Sequence, residues 1–279
     1  MTSDTEQTNT ASQIDDQADD VRTGGASSNA SDGQPLTLVE NIRKEAPFFI
    51  MVLGIVFLFR GLFYGMNYIP SESMQPSLEV GDRIAVNKMV YGYSRHSLPF
   101  SLGPTFPGKH GRLLGRLPKR GEVITFKNPL QNNKIFIKRV IGLPGDRVQY
   151  RRGVLVLNGK PVDREKVENF DYKPHKGSVS NVTVFSEHLP TGKSYEIFEH
   201  SDRDRHDNTE EFVVPAGHLF VMGDNRDRSV DSRVMRTGVG FLPIENVLGR
   251  ADRILVSTYR CKKQEGLRCA KRPFFGAIK

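Results

Sequence analysis

Residues 46–66 constrain this chain more than any other stretch, because they carry a single charge, Arg60, in an otherwise apolar run. Twenty helical residues rising 1.5 Å each span about 30 Å, the thickness of a bilayer's hydrocarbon core. The run has no polar face, which disfavours a helix half-buried in a soluble core. A long polar leader precedes it and no Ala-x-Ala cleavage site follows it, so it reads as a retained membrane anchor rather than a removed leader. Pro47 falls in the first turn, where its missing N–H costs little, and Arg60 near the far end can snorkel to the interface. Arg43 and Lys44 precede the run, whereas Arg83 is the only base within about twenty residues after it. That bias predicts one crossing, with the N-terminus inside and the remainder outside.

Charge is spread unevenly. Residues 1–40 hold eight acids (Asp4, Glu6, Asp15, Asp16, Asp19, Asp20, Asp32, Glu40) and one base, Arg22, for a net −7 in a chain whose formal net charge is +8. Residues 1–35 contain almost nothing apolar, so they cannot bury enough surface to offset their chain entropy. A disordered, acidic, cytoplasmic tail over 1–40 is expected. The remainder is correspondingly basic, at +15, which suits nucleic acid or an anionic lipid surface. No nucleic-acid-binding motif is present, and the anchor favours membrane lipid as the partner, so no nucleic acid is expected.

Beyond the anchor the chain reads as mostly β. β-Branched and aromatic runs at 83–90, 122–126, 134–141, 146–150, 154–157, 211–214, 219–222 and 247–256 are punctuated by Asn-Pro, Leu-Pro-Gly-Asp and Asn158-Gly159 turns. No long amphipathic helix follows the anchor. The expected architecture is one transmembrane helix, then an extracytoplasmic antiparallel-sheet domain over 67–260, then a basic tail over 261–279. The loop at 97–117 is rich in Gly, Pro and Leu and carries bases, and it reads either as a segment dipping into the membrane surface or as a loop folded over the core. Residues 160–210 are more polar and uneven. Within them, the stretch 199–207 mixes acids with arginines and is expected to be a solvated loop, not a metal site. Cys261 and Cys269 fit no zinc spacing; a small disulfide loop and two incidental thiols both stay open.

Three stretches carry chemistry. Residues 69–78 place Ser71 and Ser73 between Pro70 and Pro76, and the two prolines stiffen the segment, predicting a non-helical presentation of Ser73. A serine nucleophile needs a base. None of the seven histidines lies in a site-like segment, and no Gly-x-Ser-x-Gly elbow exists. Lys138 is the candidate. In an alternating strand it shares a face with Phe136 and Val140, while Ile135, Ile137, Arg139 and Ile141 point the other way. Burial on such a face disfavours the ammonium, and a neutral amine is a competent general base. Residues 223–233 alternate acids with arginines, which suits salt bridges that hold a loop rigid beside a site.

These motifs, in this order, resemble those of the bacterial type I signal peptidases (leader peptidases), a serine–lysine hydrolase family. The matching segments are 70–78, Gly81-Asp82, 120–123, 137–146, 223–233 and 240–250, covering most of residues 46–256. The resemblance implies Ser73 as nucleophile and Lys138 as general base. It implies an oxyanion held by the Ser71 hydroxyl and the Ser73 backbone N–H, with Ser229 bonded to Lys138 and an Asp231–Arg233 pair in support. It further implies hydrolysis through an acyl-enzyme, with no metal or cofactor. The partners implied are preprotein signal peptides cut after small residues (Ala-x-Ala), and a functional link to the protein-export translocase at the bacterial cytoplasmic (inner) membrane. Ile69, Pro70, Leu78, Phe136 and Ile137 are candidates for the substrate pockets. Two positions depart from the family pattern: Arg228 replaces a common Asn, and Ser77 a common Thr. Two alternatives stay open. One is a dedicated maturation protease of a secretion or conjugation system with the same dyad; the other is a membrane-anchored β-domain that binds lipid or a partner without catalysis.

Overall fold

The computed structural model describes residues 38–97, 111–131, 134–172, 179–201, 203–258 and 274–278. The acidic tail up to residue 37, both cysteines and residues 98–110 of the apolar loop lie outside the described residues. The chain divides into two compact units, Met1–Phe48 and Phe49–Lys279.

One α-helix, α1 (Leu38–Leu62), begins earlier and ends earlier than the predicted span, because residues from Tyr64 pair as a strand. Its apolar side chains, among them Phe48, Phe49, Leu53, Phe57 and Phe59, stand exposed. Every eighteen-residue stretch of α1 up to Phe59 includes Arg43, Lys44 and Glu45, and among the described residues no helix is long and apolar enough to cross a membrane. The end of α1 is tied to the strands that follow it. Lys88 Nζ donates to Gly61 O at 3.1 Å, and the Tyr93 hydroxyl donates to Leu62 O at 2.8 Å.

The rest is antiparallel β. In chain order the strands are β1 (Tyr64–Tyr68), β2 (Asp82–Asn87), β3 (Tyr93–Ser94), β4 (Arg112–Leu113), β5 (Val123–Lys127) and β6 (Ile135–Gly142). Then come β7 (Arg147–Arg151), β8 (Val154–Leu157), β9 (Lys160–Pro161), β10 (Asp163–Tyr172), β11 (Ser180–His188) and β12 (Ser194–Glu199). The last are β13 (Phe212–Val213), β14 (His218–Met222), β15 (Leu242–Pro243), β16 (Val247–Ser257) and β17 (Gly276–Ala277). The main sheet runs β1-β2-β16-β5-β6-β14-β15, with β17 on β16; β13-β7-β8-β9 and β10-β11-β12 form two further sheets.

β6 is the strand on which the interior converges. Its Ile141 belongs to an apolar cluster with Val148, Tyr150 and Phe220. Val140 belongs to a second, with Phe126 and Val221, and Ile137 to a third, with Ile69, Met74 and Ile84. A strand packed into three clusters has little freedom to shift, which fixes the positions of Lys138 and Arg139.

The structure refines three readings. The polar region 160–210 holds a three-stranded sheet; β10 is mostly exposed and lacks the alternation that would have marked it. The stretch 199–207 is not simply a solvated loop, since Glu199 is 2% exposed and Asp207 0%. Within the apolar loop, the buried Arg112 donates to the carbonyls of Tyr91, Gly92, Ile244 and Val247, so that part is held on the core, whereas Leu113, Leu114 and Leu117 remain exposed.

Candidate active site

Strand register brings the serine loop and the lysine together. On β6, Lys138 pairs with Ile124 of β5, and Arg139 pairs with Met222 of β14. The chain leaving β14 therefore passes the amine at Gly223. Glycine is required there, because a Cβ would overlap the Ser229 side chain and the Ser73 carbonyl oxygen. Ser73 lies on the connection between β1 and β2. The Ile69 N–H donates to Asp82 O and the Gly81 N–H to Ile69 O, both at 2.9 Å, closing that loop at its base. Inside it the Leu78 N–H donates to Met74 O at 2.8 Å, closing a turn, and the segment is non-helical as the sequence predicted. The Asn225 N–H holds Ser73 O at 3.2 Å, and the buried Gln75 amide donates to Glu79 and Tyr172.

Lys138 Nζ lies 2.6 Å from Ser73 Oγ and 3.0 Å from Ile137 O. Lys138 is 3% exposed and Ser73 7%. The Phe136 ring centroid is 5.6 Å from the amine. Burial pushes the amine down from 10.5 to about 8, while the charges of Asp231 and Asp224 pull the other way. Near neutral pH a useful fraction is therefore neutral, and in that state the contact runs from the serine hydroxyl to the amine nitrogen. Ser71 Oγ lies 3.5 Å from Ser73 Oγ, at the outer limit of a hydrogen bond.

The supporting residues are partly as expected. Arg233 makes a two-pronged pair with Asp231, at 3.0 Å to each oxygen, and Asp231 also accepts the Gly223 N–H at 3.1 Å. Burial works to raise the Asp231 carboxyl, but Arg233 outweighs it and the group stays below its ordinary value. Ser229 is buried, yet its hydroxyl makes no hydrogen bond of ordinary geometry among the described residues, so the expected bond to Lys138 is not formed. Its neighbourhood with Asp231 still helps to hold that carboxyl down.

Sequence reasoning missed where the other charges go. Arg139 and Asp224 form a buried pair at 2.6 Å, and Arg226 pairs with Glu187 of β11 at 2.6 Å. An arginine inside the apolar run 135–141 was the available signal. Of the two departures from the family pattern, Ser77 accepts from Arg139 at 3.0 Å, and Arg228 pairs with Glu72 at 3.0 Å and bonds Ser180 at 3.2 Å.

A cleft of about 460 Å³ opens at the dyad, lined by Ile69, Pro70, Ser71, Phe136, Ile137 and Arg228 among others. Leu78 does not line it. The turn carries that side chain inward, where it is 0% exposed and packs with Met74 and Ile84, so it is core rather than pocket. Chemically, the arrangement offers a hydroxyl, a partly neutral amine within bonding distance and an open apolar groove alongside.

Known proteins place this arrangement in a family. Residues 42–256 match the model described as signal peptidase, peptidase S26. The signal peptidase I of Rickettsia bellii (strain OSU 85-389) is 38% identical over 224 residues, covering 77% of this chain and 73% of that protein. That of Rickettsia typhi is 37% identical over 226 residues, covering 78% and 82%. A crystal structure of a signal peptidase I from Enterococcus faecalis V583 aligns with 48% of this chain and 97% of that one, at 26% identity and a TM-score of 0.30. The chain belongs to the signal peptidase family, peptidase S26, and is a peptidase.

Proposed function

We propose that this chain is a membrane-anchored serine endopeptidase that removes N-terminal signal peptides from exported preproteins through a Ser73–Lys138 dyad. The observation that carries the reading is the 2.6 Å contact between Lys138 Nζ and Ser73 Oγ, buried where the amine loses its proton easily. Neutral Lys138 takes the Ser73 proton as the oxygen attacks the scissile carbonyl. The Ser73 N–H and the Ser71 hydroxyl hold the resulting oxyanion, each fixed donor contributing about 3 kcal/mol to lowering the barrier. The ammonium then protonates the leaving amine, and an acyl-enzyme remains. Lys138, neutral again, activates the water that clears it. Asp231 and Arg233 hold Gly223 beside the amine, and Ser229 fills the space against it. No metal or cofactor enters these steps.

The substrate lies extended beside β1, the edge strand of the main sheet, whose Tyr68 lines the cleft. Such an edge offers main-chain hydrogen bonds to a peptide. Ile69, Pro70, Phe136 and Ile137 supply the shallow apolar pockets that favour small residues, Ala-x-Ala, before the cut. Residues 47–59 of α1 carry exposed apolar side chains, and in the sequence the apolar run continues to residue 66, interrupted by Arg60 alone. They support an anchor in the bacterial cytoplasmic (inner) membrane, with the catalytic domain outside, beside the translocase that delivers preproteins.

Cleavage of an Ala-x-Ala preprotein by the full chain in detergent, with Ser73→Ala and Lys138→Ala in parallel, tests the reading. Cutting at the expected bond, abolished by both substitutions, is the expected result. Cutting that survives Lys138→Ala puts the base elsewhere, and no cutting by the parent rejects the substrate class.

A further inference from the structure

Three acidic side chains that the dyad does not use converge where β12 ends and the loop carrying Ser229 begins. One oxygen each from Glu199, Asp207 and Asp227 lies within 4.8 Å of the others. Glu199 and Asp207 are fully buried. Part of each carboxylate is satisfied by the protein. The Tyr150 hydroxyl donates to Glu199 Oε1, the Asp204 N–H donates to Asp207 Oδ2 at 2.5 Å, and the His200 and Ser201 N–H groups donate to Asp227 Oδ2 at 2.6 and 3.0 Å. The remaining oxygens, Glu199 Oε2, Asp207 Oδ1 and Asp227 Oδ1, are buried without a hydrogen-bond partner.

Nearby bases offset this charge only in part. Arg226 is committed to Glu187 and Arg233 to Asp231. Arg164 Nη1 makes a long ion pair with Glu199 Oε1 at 3.8 Å, leaving Glu199 Oε2 without a hydrogen bond. Burial, with the Asp227 charge behind it, pushes Glu199 up to about 8, and burial pushes Asp207 up to about 6. Buried, unpaired carboxylate oxygens are costly unless paired or bound to a metal.

We infer that Glu199, Asp207 and Asp227 bind one hard divalent cation, with calcium the best fit. The donors are all oxygen, which suits calcium rather than zinc or copper. Oxygens bound to one calcium at about 2.4 Å stand at most about 5 Å apart, the span seen here. Asp227 lies two residues before Ser229, so the ion ties the 199–207 segment to the loop packed against the dyad. The site is separate from the catalytic chemistry and holds that loop in place.

The test is calorimetric titration of Ca²⁺ into the chelator-stripped full chain in detergent, with thermal unfolding in parallel. Glu199→Gln and Asp227→Asn serve as variants, since each keeps an oxygen for its present donors while losing the charge. Saturable binding of one ion, lost in both variants, is expected. At Ca²⁺ well above its Kd the parent's Tm rises by about 5 °C and the variants' Tm does not. In chelator, both variants unfold close to the parent's Tm, because each keeps an oxygen for the donors that hold it now. No saturable binding by 10 mM Ca²⁺, on the order of tenfold above the weak end of protein calcium sites, overturns the inference. So does binding that persists in both variants.

Discussion

The acidity of Lys138 is set by burial, so letting water reach it should change the pH dependence of cleavage in a defined way. With the amine at about 8, roughly a tenth is neutral at pH 7 and a hundredth at pH 6. At the ordinary 10.5 the neutral fraction at pH 7 would be about 300 times smaller, a difference worth about 3 kcal/mol. For the parent, kcat/KM on a preprotein-derived peptide should fall about 50-fold from pH 8 to pH 6 and level off above pH 9. Phe136→Ala removes the ring that stands 5.6 Å from the amine and admits solvent. If half of the burial effect is lost, the group moves to about 9, and kcat/KM at pH 7 falls about tenfold while the rate at pH 10 barely changes. Phe136 also lines the cleft, so a weaker fit to substrate would lower both rates alike. The ratio of the two pH values therefore separates the effects. A parent profile flat from pH 6 to pH 9, or a Phe136→Ala ratio unchanged from the parent's, refutes desolvation as the cause.

The buried amine also bears on stability. The unfolded chain keeps its proton up to about 10.5 and the folded chain only to about 8, so folding is penalised by about 3 kcal/mol below pH 8, and the penalty fades as pH rises through that window. Lys138→Met should be about 2 kcal/mol more stable than the parent at pH 7 in urea unfolding, with the gap closing above pH 10. Asp224→Asn leaves the buried Arg139 without its counter-charge and should cost about 3–5 kcal/mol in the same assay. Gly223→Ala pushes a methyl into Ser73 O and the Ser229 side chain, and a displacement on the order of 1 Å should lower kcat about 100-fold, read from single-turnover cleavage.

Much of this was legible in the sequence where local pattern and tertiary demand agree. The predicted runs 134–141, 146–150 and 154–157 match β6, β7 and β8 within a residue, because each holds β-branched or aromatic residues and each ends at turn residues suited to it. Asn158 and Gly159 both take positive φ, as that dipeptide favours in a tight hairpin. Lys138 could be singled out because an ammonium on an apolar face conflicts with its surroundings, and such conflicts cluster at functional sites. The rest depended on partners distant in the chain. β10 has ten residues with little apolar content, and its strand form comes from pairing with β11. Leu78 sits five residues from Ser73, yet the turn at Met74 sends it into the core. The acids at 199 and 207 read as solvated because nothing local reveals that Asp227 and Tyr150 close over them.

The same distant pairing explains why so many ions are buried around one amine. A lone carboxylate beside Lys138 would hold it as an ammonium, and a charged lysine cannot accept the Ser73 proton. Here each nearby acid already has its own arginine: Asp231 has Arg233, and Asp224 has Arg139. Asp231 and Asp224 still pull the amine up, and Arg233 pushes it down, so their fields largely oppose one another and burial decides the outcome. Such pairs add little net stability relative to an apolar core. Their value is positional, because two-pronged arginine contacts fix the Gly223 loop at a set distance from β6 while keeping the field on the amine small. An apolar core could pack equally well there, but it could not anchor the polar backbone of 223–233 against Ser73, which is what brings the serine within 2.6 Å of Lys138.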